Sequence, residues 1–415
     1  NELIEKISKN RVNIITAGTG AGKSVIVPRC ALHTLDYKGR VAMTVPKQML
    51  ARSSAEWTAK NMDVELGKEI GFRHRDSKIS ADSEIEIRGV KKIITEDKPS
   101  YDKQLSKLIF ATDGTINQLI LNDKYQTKSG AYDIIIVDEA HERSEQIDIL
   151  LYLLKRVLQN NPKFKIIILS ATIDTTLFSN YYSEFSPVVS EYPGITPFKT
   201  ILNFRKVPTA DYIKEGALKI NEILTQEKRK KVIFNEGAIL MFVPTLTDAR
   251  KVCTELEKLK IDKKGYRPFC IELSGKVSNE NKEYAIHIDK YKDAEDGPYT
   301  RKVVTATNIA ESSITIDGAG YVIDSGLELN VTYNPFRDST LIEKKYISQA
   351  QAKQRWGRVG RRDEGEIYCL YTEQEFKDFD IFPKPKLSTM NLENIIIKLS
   401  LIAEPKIDKK KINVN

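Results

Sequence analysis

The amino-acid sequence predicts an α/β protein with two tandem domains, each built on a parallel sheet that is flanked by helices. Short runs rich in Ile and Val alternate with longer amphipathic stretches along most of the 415 residues, and this alternation is typical of parallel strands joined by crossover helices. Three prolines and Gly194 interrupt it at residues 187–197, as expected at a domain boundary. We therefore expect a first domain at residues 1–190, a second at 191–382 and the start of a third unit at 383–415.

The strands are predicted from nearly continuous apolar runs, as expected for strands that are buried on both faces. They fall at residues 12–16, 41–45, 108–112, 134–137 and 166–169 in the first domain, and at 239–243, 268–273, 303–306, 321–323 and 367–370 in the second. Helices of the second domain are predicted at about 211–227, 245–260 and 349–357. Residues 327–347 alternate like two strands around a turn at 334–338, which predicts a hairpin.

The composition excludes several classes of protein. With 41% apolar side chains the chain is too hydrophobic to be disordered. No apolar run reaches the roughly 18–20 residues that span a bilayer, so we expect a soluble intracellular protein without a membrane partner. The 65 Lys and Arg against 57 Asp and Glu give a net charge of +8, which permits a polyanionic partner without requiring one. Because Asn1 is not an initiator methionine, we expect a segment of something longer.

The four cysteines are Cys30, Cys253, Cys270 and Cys369, and they form no CxxC motif or Cys/His cluster. Structural zinc and iron–sulfur sites need such clusters of ligands. We therefore expect unpaired, small, buried cysteines in a protein of a reducing compartment.

A glycine-rich loop follows the first predicted strand and precedes an apolar stretch that is typical of a helix. Glycines let the backbone fold tightly, so that amide groups and a helix N-terminus face a polyphosphate. Lys23 would then neutralise the β- and γ-phosphates of ATP or another NTP, and the Ser24 hydroxyl would ligate Mg²⁺. A glycine-rich turn without function is the alternative, and the intact Gly-Lys-Ser disfavours it. The predicted phosphate-binding residues are Gly18, Thr19, Gly20, Ala21, Gly22, Lys23 and Ser24.

An acidic cluster follows the fourth predicted strand directly, in the run Asp138-Glu139-Ala140-His141-Glu142-Arg143. A carboxylate at the carboxyl end of a strand beside a phosphate loop is placed to hold Mg²⁺, and we predict this role for Asp138, together with Glu139. Glu139 would also polarise the attacking water as a general base, and His141 would carry the state of the site to a neighbouring element. A solvated turn is the alternative, but the phosphate loop independently predicts the same chemistry.

A basic motif occurs in the second domain, in the run Gln354-Arg355-Trp356-Gly357-Arg358-Val359-Gly360-Arg361. On a helix, Gln354, Arg358 and Arg361 would share one face, and the glycines between them would let another surface approach closely. Guanidinium groups stabilise the charge that develops on a γ-phosphate during hydrolysis. Because this motif and the phosphate loop lie in different domains, we expect hydrolysis to require closure of the cleft between them.

Together these runs resemble the motifs of superfamily 2 helicases of the DEAH-box/RNA helicase A group. The phosphate loop, residues 138–143 and Ser170-Ala171-Thr172 are similar to its first RecA-like domain, and residues 305–317 and 354–361 to its motifs V and VI. The resemblance implies two tandem RecA-like domains and, from residues 387–399, the opening of a winged-helix domain. It also implies a monomeric, NTP-dependent RNA helicase that moves 3′→5′ on single-stranded RNA without sequence preference.

The resemblance further implies that Ser313 and Asp317 contact the nucleotide. Trp57 falls where cellular relatives place an arginine that stacks on the nucleotide base. A Trp ring can stack on any base, so loose NTP selectivity is expected. A core aromatic on a helix is the alternative for Trp57.

Other implied roles concern the nucleic acid. Ser170 and Thr172 would couple NTP turnover to strand movement, and the hairpin at 327–347 would act as a wedge at a duplex junction. Hydroxyls and backbone amides contact phosphates without reading sequence, so binding would be sequence-tolerant and salt-sensitive. The implied backbone-binding residues are Lys47, Thr112, Asp113 and Thr307.

Several alternatives to an RNA helicase remain at this point. The motif V and VI sequences differ from those of RecQ-type DNA helicases, and only Cys30 lies where the iron–sulfur DNA-repair helicases need four cysteines, which favours RNA. The polar segment 76–107 and Trp57 favour a viral member, such as the poxviral nucleoside triphosphate phosphohydrolase II type. A DNA-directed motor of the same superfamily, an inactive nucleic-acid-binding platform and a signalling NTPase that acts on protein are the alternatives.

Overall fold

The computed structural model of the protein describes residues 2–18, 22–75, 77–79, 85–87, 90–92, 106–123, 126–128, 131–170, 175–192, 198–230, 237–259, 268–274, 279–287, 289–294, 297, 299–308, 316 and 319–400.

In the described part of the chain, the first domain contains an eight-stranded sheet in the order β10-β1-β9-β8-β2-β7-β3-β4. Neighbouring strands are parallel except for β3 and β4, which are antiparallel. These strands are β1 (Val12–Ala17), β2 (Val41–Val45), β3 (Ile70–His74), β4 (Ser77–Ile79), β7 (Leu108–Thr112), β8 (Ile134–Val137), β9 (Lys165–Ser170) and β10 (Val188–Tyr192), and a separate antiparallel pair is formed by β5 (Ile85–Ile87) and β6 (Val90–Lys92). The helices are α1 (Glu2–Lys9), α2 (Lys23–Thr34), α3 (Gln48–Met62), α4 (Asp113–Asn122), α5 (Glu145–Asn160) and α6 (Thr175–Tyr181).

Both faces of this sheet are buried, which explains the continuous apolar runs. In β8, Ile134 and Ile136 belong to one hydrophobic core, whereas Ile135 and Val137 belong to another. Successive side chains of a strand point to opposite faces. The two cores therefore lie on the two faces of the sheet, each covered by helices.

The second domain repeats this architecture with a parallel sheet in the order β11-β18-β15-β12-β14-β13. Its strands are β11 (Thr200–Arg205), β12 (Ile239–Phe242), β13 (Pro268–Leu273), β14 (Arg301–Ala306), β15 (Tyr321–Asp324) and β18 (Gly365–Thr372). The helices that follow the first domain are α7 (Tyr212–Lys230), α8 (Leu246–Lys258), α9 (Asn279–Ile286), α10 (Gln349–Trp356), α11 (Glu373–Asp378) and α12 (Glu393–Ser400).

An antiparallel hairpin projects from the second domain, as the sequence predicts. It consists of β16 (Leu327–Asn334) and β17 (Ser339–Tyr346), and Phe336 in its turn is 98% exposed. Lys344 fixes the hairpin to the domain, because its Nζ donates to Tyr212 Oη at 2.8 Å and to the buried Asp248 Oδ1 at 2.9 Å. The hairpin is confirmed, and its wedge role stays a prediction.

The ten predicted strands are confirmed, with limits that differ by at most two residues. The helices predicted at 211–227, 245–260 and 349–357 are also present as α7, α8 and α10. The sequence predicts that the alternation of strands and helices is interrupted at residues 187–197. This is wrong in part, because strand β10 lies within the segment and pairs with β1. Prolines that flank an edge strand leave its ladder intact. The limits at 190/191 and 382/383 and the winged-helix opening stay predictions.

Among the described helices, none combines the length and the apolar character that crossing a bilayer would take.

The expectation of unpaired cysteines is wrong for two of the four. Cys253 in α8 and Cys270 in β13 form a disulfide with a Cα–Cα distance of 5.7 Å, whereas Cys30 and Cys369 are free. A separation of 17 residues gives no sign of this pairing. It arises because α8 packs against the edge strand β13, which brings two distant positions into contact.

The disulfide predicts a measurable dependence on reductant. Unfolded without reductant, the chain should show two reactive thiols, and after reduction four. Because the closed loop is short, reduction should destabilise the second domain by about 3 kcal/mol, measured as a lower midpoint of thermal unfolding. A Cys253→Ser/Cys270→Ser variant should not respond to reductant. Four reactive thiols without reductant would contradict the pairing.

Candidate active site

The glycine-rich loop connects the buried strand β1 to helix α2, which begins at Lys23. Gly18 follows β1 directly, and Gly22 has a φ of 69°, a left-handed conformation that favours glycine. Lys23 is 9% exposed at the first turn of α2. Thr19, Gly20 and Ala21 lie outside the described residues. The phosphate contacts predicted for the loop therefore stay predictions, on a strand–loop–helix framework that is present.

Ser24 and Asp138 come together although they are far apart in the sequence. Ser24 Oγ donates to Asp138 Oδ2 at 3.1 Å. The other carboxylate oxygen accepts the backbone N–H of Glu139 at 2.9 Å, and the backbone N–H of Asp138 donates to Thr44 Oγ1 at 3.3 Å. The two predicted metal ligands are thus neighbours at the carboxyl edge of the first sheet.

The electrostatics of this pair favour a bound cation. Asp138 is 4% exposed, and burial raises the pKa of its carboxyl to about 7, with the nearby Glu139 carboxylate acting in the same direction and Lys23 opposing it. Glu139 Oε2 is buried, makes no hydrogen bond among the described residues and lies 3.4 Å from His141 Nε2. Carboxylate and hydroxyl oxygens are ligands that Mg²⁺ prefers. Ser24, Asp138 and Glu139 therefore fit a magnesium ion. Its positive charge would stabilise the ionised carboxylates, which burial destabilises.

The turn after Asp138 has an unusual backbone. Glu139 has a φ of 50° and Arg143 a φ of 47°, on either side of the short 3₁₀ helix Ala140–Glu142. Non-glycine residues rarely adopt this conformation, and it occurs most often where function requires it. Across this turn the Glu139 carboxylate oxygen Oε2 lies 3.4 Å from His141 Nε2.

His141 joins three elements through its imidazole. Its Nδ1 lies 2.9 Å from Ser170 Oγ at the end of β9, and its Nε2 lies 2.5 Å from the side-chain amide of Gln354 on α10. Burial lowers the pKa of His141, so the ring is neutral. A neutral ring protonated on Nδ1 donates to Ser170 and accepts from Gln354 at Nε2. The imidazole thus connects the first domain to the second.

The prediction that Gln354, Arg358 and Arg361 share one helix face is wrong. Helix α10 ends at Trp356, and Gly357 caps it, so only Gln354 is helical. The glycines end the helix and turn the chain, with a φ of 74° at Gly360. Arg358 is 6% exposed in this turn, and Arg361 Nε donates to Gly357 O at 2.9 Å.

Sequence reasoning gave Arg355 no role, yet it is fully buried. Its Nη1 donates to Asp324 Oδ1 at 2.8 Å and its Nη2 to Leu327 O at 3.2 Å. Tyr371 Oη donates to the second oxygen of Asp324 at 2.8 Å. This buried network fixes α10 on the sheet. Only the position of Arg355 inside the motif could have drawn attention to it.

The predicted nucleic-acid-binding residues of the first domain line one cavity of about 570 Å³ beside the acidic motif. Lys47, Thr112, Asp113 and Gly114 meet there, because β2 and β7 are neighbours and end at the same edge of the sheet. The Asp113 side chain is buried. Any phosphate contact of this turn would therefore come from Thr112 or from backbone amides.

A second cavity, of about 370 Å³, lies between the two domains. Lys47 and His141 line it from the first domain, and Asn308 and Gln354 from the second. Asn308 follows Thr307, whose backbone N–H donates to Leu273 O at 3.0 Å. The structure therefore places residues from both predicted nucleic-acid motifs at one cleft.

Comparison with known proteins agrees with this arrangement. The DEAD/DEAH box helicase family model matches residues 1–178, and the helicase conserved C-terminal domain model matches residues 217–363. The protein L540 of Acanthamoeba polyphaga mimivirus, whose name as an ATP-dependent RNA helicase is itself provisional, is 35% identical over 416 residues. These residues cover 100% of this chain and 54% of L540. The chain belongs to the DEAH-box group of superfamily 2 helicases.

Two further relatives of this DEAH-box protein are bacterial. The ATP-dependent RNA helicase HrpA of Borreliella burgdorferi is 31% identical over 404 residues, covering 96% of this chain and 44% of HrpA. The crystal structure of the Escherichia coli DEAH/RHA helicase HrpB superimposes with a TM-score of 0.73 at 26% identity, covering 96% of this chain and 45% of HrpB. The two domains built on these sheets are therefore RecA-like. The chain spans about half the length of these relatives.

Trp57 of this DEAH-box protein lies on α3 and is 58% exposed. The alternative interpretation as a core aromatic is therefore wrong, and base stacking stays a prediction. Thr172, Ser313 and Asp317 lie outside the described residues, and their predicted roles stay predictions.

Asp113 provides a test of the buried charge at this edge. Burial raises its pKa to about 7, helped by Glu142 and Asp138 and opposed by the Thr44 hydroxyl, and its Oδ1 is buried without a hydrogen-bond partner. The pKa in the folded state thus exceeds the unfolded value of about 3.9. The folded state holds a proton that the unfolded state releases, so the free energy of unfolding falls as pH rises from about 4 to about 7.

We predict that Asp113→Asn stabilises the metal-free chain at pH 7.5 by an amount on the order of a few kcal/mol, and by much less at pH 4.5, because it removes this proton linkage. Urea unfolding at both pH values measures the difference. Asp123→Asn, at the other end of α4, serves as the control for the replacement of a carboxylate by an amide on the same helix. An equal effect of Asp113→Asn at both pH values would contradict the linkage.

Proposed function

We propose that the chain is an NTP-dependent RNA helicase, which hydrolyses ATP, and other NTPs, to move 3′→5′ on single-stranded RNA and unwind duplexes. The observation that carries this proposal is the contact between His141 and Gln354. It connects the acidic motif of one RecA-like domain to the basic motif of the other. A motor needs such a connection, because nucleotide state must control the separation of its two domains.

In the proposed site, Lys23 and the amides of residues 18–24 bind the phosphates of the NTP. Ser24 and Asp138, whose oxygens lie 3.1 Å apart, would hold Mg²⁺ with Glu139. When bound by these residues, such an ion would neutralise part of the phosphate charge. Glu139 orients and deprotonates the attacking water. Among the described residues its Oε2 has no hydrogen-bond partner, and it lies 3.4 Å from His141 Nε2.

The second domain completes the site in this proposal. Arg358 and Arg361 stabilise the charge that develops on the γ-phosphate, an effect worth roughly 10³–10⁵ in rate for arginine fingers. Gln354 contacts His141, and His141 contacts Ser170. A movement of the second domain that displaces Gln354 would therefore alter the hydrogen bonds of His141 and Ser170. Ser170 and Thr172 then couple turnover to strand movement, and Ser313 and Asp317 contact the nucleotide.

RNA is the proposed substrate, because the named relatives are described as RNA helicases. Lys47, Thr112 and Thr307 would contact its backbone from the two domains, without sequence preference. We propose that the motor is monomeric, that the hairpin from β16 to β17 acts as the wedge, and that the domain limits are those inferred from the sequence. A DNA-directed helicase and a catalytically inactive binding platform are the competing functions.

RNA-dependent hydrolysis is the direct test. We predict that single-stranded RNA stimulates ATP hydrolysis and that Glu139→Gln lowers kcat by roughly 10²–10⁴ with little change in KM, since the general base acts only in the chemical step. Phosphate release measured with RNA, with DNA and without nucleic acid gives both results. Glu184→Gln, on the same domain but paired with Lys155 at the surface, is the matched control.

The outcomes separate the competing functions. Equal stimulation by DNA would favour a DNA-directed motor, and the absence of hydrolysis would favour the inactive platform. Strand displacement from 3′-tailed and 5′-tailed duplexes tests direction, and displacement only from 5′ tails would refute 3′→5′ movement.

Base stacking by Trp57 can be tested separately. We predict that Trp57→Ala raises KM about 5- to 100-fold and by similar factors for ATP, GTP and UTP, because stacking of a base on an aromatic ring contributes about 1–3 kcal/mol whatever the base. Trp57→Phe should retain most of the affinity. Unchanged KM values in Trp57→Ala would remove this residue from the nucleotide site.

A further inference from the structure

The chain that leaves the second domain crosses back to the first one. Residues 383–389, here called the lysine strap, follow a stretch that is attached to α10. The backbone N–H groups of Gln349 and Ala350 donate to Asp380 O at 2.8 Å and Ile381 O at 3.1 Å. The strap therefore begins at the N-terminus of the helix that carries Gln354.

The strap is attached at two further points. The backbone N–H of Lys386 donates to Arg143 O at 3.0 Å, in the acidic motif of the first domain. Thr389 O accepts the backbone N–H of Tyr333, in β16 of the hairpin, at 2.7 Å. The strap thus runs from a segment attached to the start of α10 to the acidic motif and the hairpin.

From Lys384 to Leu387 the side chains of the strap alternate between two cavities. Pro385 and Leu387 line an apolar cavity of about 410 Å³ against Leu151, Phe178 and Tyr181 of the first domain. This side docks the strap on α5 and α6.

The other side of the strap faces the cleft between the domains. Lys384 and Lys386 line the cavity of about 370 Å³ that also contains Lys47 and Asn308. Both lysines are exposed, and Lys384 has only a long contact of 3.8 Å with the exposed Asp380. An alternation of apolar and charged side chains holds a segment in place on one side and presents cations on the other.

The charge of this cavity is unequal. Four lysines line it, namely Lys47, Lys345, Lys384 and Lys386, against the glutamates Glu142 and Glu328. Lys345 comes from the hairpin and lies 3.8 Å from Glu328. The cleft therefore carries an excess of positive charge, contributed by the first domain, the hairpin and the strap. A chain of phosphates complements such a cleft.

We infer that the lysine strap forms a third wall of the RNA cleft and that Lys384 and Lys386 bind backbone phosphates of single-stranded RNA. This inference rests on the proposed function, and it adds a binding surface outside the motifs of the two domains. Because ammonium groups bind phosphates as point charges, the contacts are independent of RNA sequence.

The test compares Lys384→Gln/Lys386→Gln with the wild-type chain in binding to a labelled oligouridylate, by fluorescence anisotropy between 50 and 200 mM salt. Each phosphate contact on a single strand contributes about 0.7 to the slope of log affinity against log salt concentration. We expect the slope to fall by about 1.4 and the affinity at 0.1 M salt to fall roughly tenfold or more.

Two controls isolate the phosphate contacts. Lys377→Gln removes an exposed lysine of α11 that pairs with Glu373 at 2.9 Å and lies outside the cavity, and it should bind like the wild type. Lys384→Arg/Lys386→Arg keeps both charges and should restore binding. If the double glutamine variant has a lower midpoint of thermal unfolding, the single variant Lys384→Gln decides, with an expected change in slope of about 0.7.

The results distinguish a failure of the strap inference from a failure of the proposed function. A wild-type chain that binds RNA together with a double glutamine variant of unchanged affinity and slope would overturn the strap and leave the proposed function intact. A wild-type chain that does not bind RNA at any salt concentration would overturn both.

Discussion

The parallel arrangement of the strands is the constraint on which the rest of the structure depends, because it gathers the carboxyl ends of all strands at one edge of each sheet. In the first domain the neighbouring strands β1, β9, β8, β2 and β7 determine the order in which the site residues lie along this edge. The phosphate loop follows β1, Ser170 ends β9 and Asp138 follows β8. Lys47 and Thr112 come next, from β2 and β7. Strands lie about 4.8 Å apart, so the nucleotide and nucleic-acid regions are adjacent.

Parallel strands alone do not bring the domains together, and buried polar groups supply that connection. Asp324 is fully buried at the end of β15 and pairs with Arg355 and Tyr371. Losing one partner of such a pair typically costs about 3–5 kcal/mol, since the other charge is left without compensation. The pair therefore holds α10 in one orientation, in which Gln354 reaches His141.

The net charge of the chain says little about its partner, but the position of the charges says more. An excess of +8 is spread over the whole sequence, whereas four lysines from three parts of the fold meet at one cavity between the domains. The acidic motif and its buried carboxylates lie on the adjacent side. The 3₁₀ helix Ala140–Glu142 lies between the buried carboxylates and the cavity lined by these lysines.

The sequence by itself determined the α/β class, the ten strands and the motifs, because strands buried on both faces leave continuous apolar runs and because short motifs are contiguous in the chain. Edge strands such as β10 and β11 were missed, since they are only partly buried and lack that signal. Gly357 was read as a spacer on a helix although it ends the helix. The local sequence is compatible both with a helix that continues through Gly357 and with one that ends there.

Only the tertiary structure decided the contacts between distant residues. The pairing of Cys253 with Cys270, the burial of Arg355 on Asp324 and the return of Lys386 to Arg143 each join positions that no local pattern relates. The contact of Gln354 with His141 spans 213 residues. Local sequence sets backbone conformation and periodicity, whereas these contacts depend on how the two sheets and the returning strap pack. Packing is a property of the whole chain and is not contained in any of its segments.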